Sequence, residues 1–131
     1  MSAVWVFPGS TVVRVVDGDT FHAAVARTLD FGFHVESTLS SVQKFRLNGC
    51  NAAPLSTLSG AGAAVALDAL LALGDLTITS LAPYKYGDEW MASVLLPDGR
   101  DVTEVMIAEQ WAAPWTGQGA QPLPPWPRTV P

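Results

Sequence analysis

The sequence predicts a mainly β fold of the α+β kind: a five-stranded OB-type Greek-key barrel carrying two to three helices. Three observations lead there. Five short segments rich in β-branched or alternating residues are separated by Gly, Pro, Asn and Asp turns. A stretch with helical spacing follows the third of them and another follows the fifth. Finally, 131 residues with 49% hydrophobic and 15% charged content are enough to bury a single core, and hold one domain rather than several.

Residues 11–16 (TVVRVV) run into Asp17-Gly18-Asp19, a turn signal, so residues 20–26 return as the second strand of a hairpin. Residues 29–36 (LDFGFHVE) alternate and continue this ribbon, whereas 37–41 are small and polar and read as a loop. Residues 43–47 (QKFRL) make the third strand, closed by Asn48-Gly49. In Asn51-Ala52-Ala53-Pro54 the proline excludes a central strand position. Ser59 is placed to cap a helix over 60–73, with Ala64, Leu67, Leu70 and Leu71 as its apolar stripe and Gly74 as its stop. Residues 76–81 and 90–96 are the fourth and fifth strands, joined through 84–89. After the turn Pro97-Asp98-Gly99, Asp101 and Glu104 have capping-box spacing for a helix over 102–111.

Beyond that helix the chain changes character. Pro114, Pro122, Pro124, Pro125, Pro127 and Pro131, with Trp115 and Trp126 among them, oppose both helix and ladder pairing. The expected division is therefore a domain over 1–113 and an extended Pro/Trp-rich tail over 114–131.

Twelve acidic residues against seven basic ones disfavour loose, charge-driven binding to DNA or RNA, because that binding depends on Lys and Arg neutralising phosphates. A local basic cleft is still compatible with this balance. Cys50, the lone cysteine, has no internal disulfide partner, which fits a reducing compartment or indifference to redox state. The first ten residues lack the basic and apolar regions of a signal peptide, and the apolar run 61–73 is interrupted by Asp68 and is too short to span a bilayer. A soluble protein is expected.

Three segments carry a resemblance to a known family. VVDGDTF at 15–21, FRLNGCNAAP at 45–54 and YKYGDEWMASV at 84–94 stand in the order and spacing of the thermonuclease (staphylococcal-nuclease-like) family, and DVTEVMIAEQWA at 101–112 resembles that family's segment after its last strand. Together these cover 11–113, and the resemblance implies the same OB-type barrel. The ending, with its AAPW and PWPR strings, also resembles versions of the domain encoded by phages of actinobacteria. That implies a place in the host cytoplasm or in a virion.

In this family, phosphodiester cleavage uses calcium held by hard oxygen ligands, a carboxylate base that activates water, and arginines that stabilise charge on the phosphorus. The resemblance places Asp19 at the first metal-binding carboxylate and Arg46 at the first arginine. Asn51 stands at the second metal carboxylate, where an amide oxygen can ligate calcium but brings no charge. Ala53 and Pro54 stand where the family has proline and the glutamate base; neither accepts a proton, and Leu55, Ser56 and Thr57 supply no carboxylate. Asp88, followed by Glu89, stands where the second arginine belongs, so a cation has become an anion. Losing a base costs about 10²–10⁴-fold and losing an electrostatic stabiliser about 10²–10³-fold, so little acceleration is expected to survive.

Each candidate also has a structural reading. Asp17 and Asp19 are turn formers or metal ligands; Arg46 is a phosphate clamp or one half of an ion pair, with Asp19 as a partner. His22 and His34 lack a third ligand at a sensible spacing and read as surface or packing residues. Cys50, beside Asn51, reads as a core thiol rather than a nucleophile, Glu104 as helix-cap support, and Trp90 and Trp111 as core or sub-core filling. The tail, with Trp115 and Trp126 as partner-binding candidates, either folds back along the barrel or docks in a partner's aromatic groove. Two functions follow. One is a non-catalytic barrel kept as a binding or assembly module for other proteins, a virion or tail component or an accessory protein, with no cofactor. The other is a weak Ca²⁺-dependent nuclease. Single-strand binding without cleavage is a third option, made unattractive by the shortage of Lys and Arg.

Overall fold

The computed structural model describes residues 5–84 and 88–124. Three long strands, β1 (Trp5–Asp17), β2 (Thr20–Gly32) and β3 (Val35–Leu47), are joined by two tight turns. They are followed by β4 (Cys50–Ala52), α1 (Leu58–Leu71), β5 (Leu76–Pro83), β6 (Trp90–Leu95), α2 (Val102–Ala108) and β7 (Ala112–Pro114). The fold is mainly β, and five strands close into a barrel in the order β1-β2-β3-β6-β5. Neighbours are antiparallel except β3 and β6, which run parallel through Phe45–Trp90, Arg46–Met91 and Leu47–Ala92. β4 and β7 form a separate antiparallel pair.

Closure depends on β1 serving two neighbours. Its first part pairs with β5 and its second with β2, and the register shifts between Phe7 and Ser10. Pro8 has no N–H for the ladder, and Gly9 takes φ +66°, so the strand bends where its sequence cannot continue regular pairing. Inside the barrel, Phe21 and Phe45 meet with ring centroids 5.8 Å apart, beside Leu47, Leu76, Ile78 and Val94. α1 covers this core with Ala63, Leu67 and Leu71, four residues apart on one face, and α2 adds Val102 and Met106. Trp111 packs so close to α1 that a Cβ at Gly62 would fall 2.5 Å from its ring. None of the helices among the described residues is long and apolar enough to cross a membrane.

Several boundaries differ from expectation. Residues 37–41 are not a loop: they continue β3, paired residue by residue with β2 from Leu29–Ser37 to Val25–Ser41. This part of the ribbon stands in solvent on both faces, so no apolar alternation marks it as strand. β1 begins at Trp5 rather than at residue 11 because its first half pairs with β5, a partner far away in sequence. α1 starts two residues early, with Thr57 as its cap: the Thr57 hydroxyl accepts from the Gly60 N–H at 2.9 Å, and Ser59 is buried inside the first turn. The apolar stripe centres on Ala63 rather than Ala64. α2 is capped by Asp101, which accepts from the Glu104 N–H at 3.3 Å, but it ends at Ala108, where Gln110 turns to φ +66°. Cys50–Ala52 and Pro114 enter a ladder after all, because that ladder is only three residues long and Pro114 sits at its end.

Candidate functional site

The site begins with the hairpin turn between β1 and β2. Asp17 accepts from the Asp19 N–H at 3.2 Å, closing the turn on itself. Gly18 carries no side chain, and it needs none: a Cβ there would fall 2.5 Å from that of Ala63 and 2.8 Å from that of Ala52. The turn therefore tucks against α1 and β4, and this carries the Asp19 carboxylate inward until only 2% of the residue remains accessible.

Four donors meet that carboxylate. Oδ1 accepts from the Thr20 hydroxyl at 2.9 Å and from Arg46 Nη1 at 3.1 Å. Oδ2 accepts from the Ala52 N–H at 2.9 Å and faces Arg46 Nη2 at 3.1 Å. The same Nη2 donates to Asn51 Oδ1 at 2.7 Å. Arg46 is itself buried, with its guanidinium 4.8 Å from the Tyr84 ring centroid and 5.7 Å from that of Trp115. The residue pattern of β3 explains its position: Lys44 and Arg46 lie on one face of the strand and Phe45 on the other, pointing into the barrel.

The tail closes over this cluster. Asn51 donates to the Pro122 carbonyl at 2.8 Å, Gln121 donates to the Tyr84 hydroxyl at 3.2 Å, and the Trp115 indole donates to the Gln118 carbonyl at 3.0 Å. The Trp115 N–H bonds the Gly49 carbonyl at 2.9 Å, extending the β4–β7 pairing by one step. As far as Pro124 the tail packs on its own barrel, and Trp115 is buried there; Trp126 lies outside the described residues. What remains open is a cleft of about 230 Å³ between Asp17, Asp19, Arg46, Asn51 and Pro54 on the barrel side and Gln121 and Leu123 on the tail side.

Burial sets the electrostatics. It is the largest effect on the Asp19 carboxyl, and with the hydrogen bond to Asp17 it pushes the carboxyl up to about 7, outweighing the opposing Arg46 charge. Burial also pushes the neighbouring Cys50 thiol up to about 12, with the Asp19 charge adding to it, so at neutral pH Cys50 is a protonated, inert core thiol.

The residues present do not fit a calcium ion. A Ca²⁺ site needs six to eight oxygen ligands with enough negative charge to hold the ion. Here both Asp19 oxygens and the Asn51 oxygen already accept from protein donors, and a guanidinium occupies the place between them. Pro54 borders the cleft and offers no base. Asp88 is not in the cleft: it is exposed and pairs with Lys44 at 3.4 Å, while Glu89 lies 3.9 Å from the same amine. Its carboxyl is held low, mainly by a backbone hydrogen bond and then by Lys44.

Of the residues singled out in the sequence, the fold brings Asp19, Arg46, Asn51, Pro54 and Trp115 together and leaves Asp88 apart. His34 lies in the β2–β3 turn and His22 within β2, and no cluster of three His, Cys, Asp or Glu side chains suited to a metal occurs among the described residues. Trp111 is in the core, but Trp90 is not. As the first residue of β6, paired with Phe45, it stands partly exposed. Tyr84 and Gln121 were not anticipated; the aromatic opening the YKYG string was the available signal for Tyr84. No family model matches the chain, and no curated protein sequence is similar to it.

Proposed function

We propose that this chain is an OB-type barrel of the thermonuclease kind that has given up cleavage and serves as a binding or assembly module. The setting implied by the resemblance of its ending is a virus particle or a viral accessory protein. The strand order supports the OB reading: three consecutive antiparallel strands, the third running parallel to the last barrel strand, and the ring closed between the first strand and the fourth.

The single observation carrying the non-catalytic reading is that the Arg46 guanidinium is committed inside the protein. It is forked onto Asp19, bonded to Asn51 and flanked by Tyr84 and Trp115. An arginine held this way cannot meet a phosphate without leaving a buried carboxylate uncompensated. Pro54 stands in the cleft at the position the resemblance assigns to the base, and the tail residues Gln121 and Leu123 form the cleft's other wall.

The test is cleavage of single-stranded DNA and RNA at high protein concentration, with calcium and with chelator, on the intact chain and on Asp19→Ala. No chelator-sensitive cleavage is expected. Cleavage lost both with chelator and in Asp19→Ala would establish the alternative, a weak calcium-dependent nuclease, which the pairing of Asp19 with Arg46 at one cleft keeps in view.

A further inference from the structure

At the opposite end of the molecule, β2 and β3 run on beyond the barrel as a two-stranded ribbon. β1 pairs with β2 only as far as Ala24, and β6 pairs with β3 only from Phe45. Among the described residues, the outer edges of 25–32 and 35–44 therefore carry no ladder. Phe31, Phe33, Val35 and Leu39 stand exposed along this ribbon. A lone hairpin with bare edges and apolar side chains in water is marginally stable and a template for pairing.

Its tip is built in a costly way. Phe33 and His34 form a two-residue turn between Gly32 and Val35, both left-handed, at φ +57° and +63°. Such turns favour Asn and Gly, and a phenylalanine there is strained. The strain presents Phe33 to solvent with 96% of its surface accessible, flanked by Asp30 and Glu36, which face each other across the ribbon.

Beside the root of the ribbon is an apolar groove of about 450 Å³, with walls that include Trp5, Phe7, Leu39, Leu81 and Trp90. Arg27 also lines it, stacked on the Trp5 ring at 3.5 Å from the centroid. Tip and groove complement one another: aromatic and doubly acidic on one side, aromatic with one cation on the other. They cannot meet within one chain. The ribbon root forms part of the groove wall, and Phe33 is six residues beyond Arg27, roughly 20 Å along an extended strand. Folding it back would break the pairs from Arg27–Leu39 to Gly32–Val35.

We propose that the ribbon tip of one copy seats in the groove of a second copy, with Phe33 in the aromatic trough and Asp30 and Glu36 facing Arg27. Reciprocal insertion closes at two copies and doubles the buried area, helping it toward the roughly 1,200 Å² of a stable interface. This rests on the assembly reading and names its first partner as the chain itself.

Sedimentation velocity on the full chain tests it. A concentration-dependent dimer is expected between about 1 and 100 µM, with Phe33→Asp weakening it by about tenfold or more. Aspartate tolerates the left-handed backbone better than phenylalanine, so that variant keeps its fold. Arg27→Glu is expected to weaken the dimer, and Asp30→Arg with Glu36→Arg in the same chain to restore it. A monomer at the highest concentration overturns the proposal, as does a dimer indifferent to Phe33→Asp. A monomer that takes up an apolar dye also overturns it, and assigns the groove to a small apolar ligand. Chelator-sensitive cleavage by the same preparations would count against the non-catalytic reading alone, leaving the dimer result to stand or fall separately.

Discussion

The two ends of this barrel treat their chemistry in opposite ways. At one end, Asp19, Arg46 and Asn51 bond to one another under Tyr84, Trp115 and the returning tail, with Arg46 Nε left as the cluster's one buried side-chain atom lacking a partner among the described residues. At the other end, the β2–β3 ribbon and the groove beside it leave aromatic surface facing water, with Arg27 stacked on Trp5. A polar cluster that is satisfied from within at all but one atom contributes to holding the fold, whereas apolar surface left without a partner has binding free energy still to gain. The difference is what the proposed reading rests on: a structural role for the Asp19–Arg46 end, and recognition at the opposite end.

The largest expected effect separates the two ends directly. Arg46→Ala leaves Asp19 buried without its cation and should cost about 3–5 kcal/mol in chemical denaturation, while Phe33→Ala should stay within about 0.5 kcal/mol for the monomer. Comparable losses at both positions would erase the contrast. Next in size, Gly60→Ala drives a Cβ into the Pro54 carbonyl beside the cleft and should cost roughly 1–3 kcal/mol by overpacking.

Asn51→Ala strips Arg46 of one acceptor and the Pro122 carbonyl of its donor. A loss of about 1–3 kcal/mol is expected, with faster amide exchange over residues 115–124 as the sign that the tail has been released. Stability is also expected to depend on pH. Because burial raises the Asp19 carboxyl from 3.8 unfolded to about 7 folded, the folded state keeps a proton that the unfolded chain gives up. This contribution to stability is full below about pH 4, declines as pH rises toward about 7, and is flat above. Asp19→Asn should flatten that stretch of a stability–pH curve. The smallest effect is at Asp88: it is exposed beside Lys44, and Asp88→Ala should leave the melting curve unchanged.

Local signals in the chain were reliable where one residue type answers one backbone need. The Asp17-Gly18-Asp19 turn, the strand at 43–47 and the Asp101 cap all follow from side chains acting within a few residues of themselves. Where several residues offer the same service, the chain alone does not choose. Thr57 and Ser59 both carry capping hydroxyls, and the chain path after Pro54 decides between them. Part of the outer ribbon lacks a strand signature for a different reason. With both faces wet, Ser37, Thr38, Ser40 and Ser41 need no alternation, and cross-strand contacts such as the Thr28–Thr38 hydroxyl pair at 2.8 Å hold it instead.

For the site, the sequence alone determined which groups exist: the carboxylates of Asp17 and Asp19, the Arg46 cation, the Asn51 amide, Pro54, and an acidic pair at Asp88 and Glu89. That is a matter of composition along the chain, and no folding is required to see it. Only the tertiary structure decided how those groups are used. It buried Asp19 behind Gly18, forked Arg46 onto it, moved Asp88 out to Lys44, brought Pro122 back onto Asn51, and left Phe33 alone at the end of a ribbon. These pairings join residues 27, 44 and 71 positions apart. Pairings across such separations are set by how the barrel closes and where its helices pack, which no short window of sequence encodes.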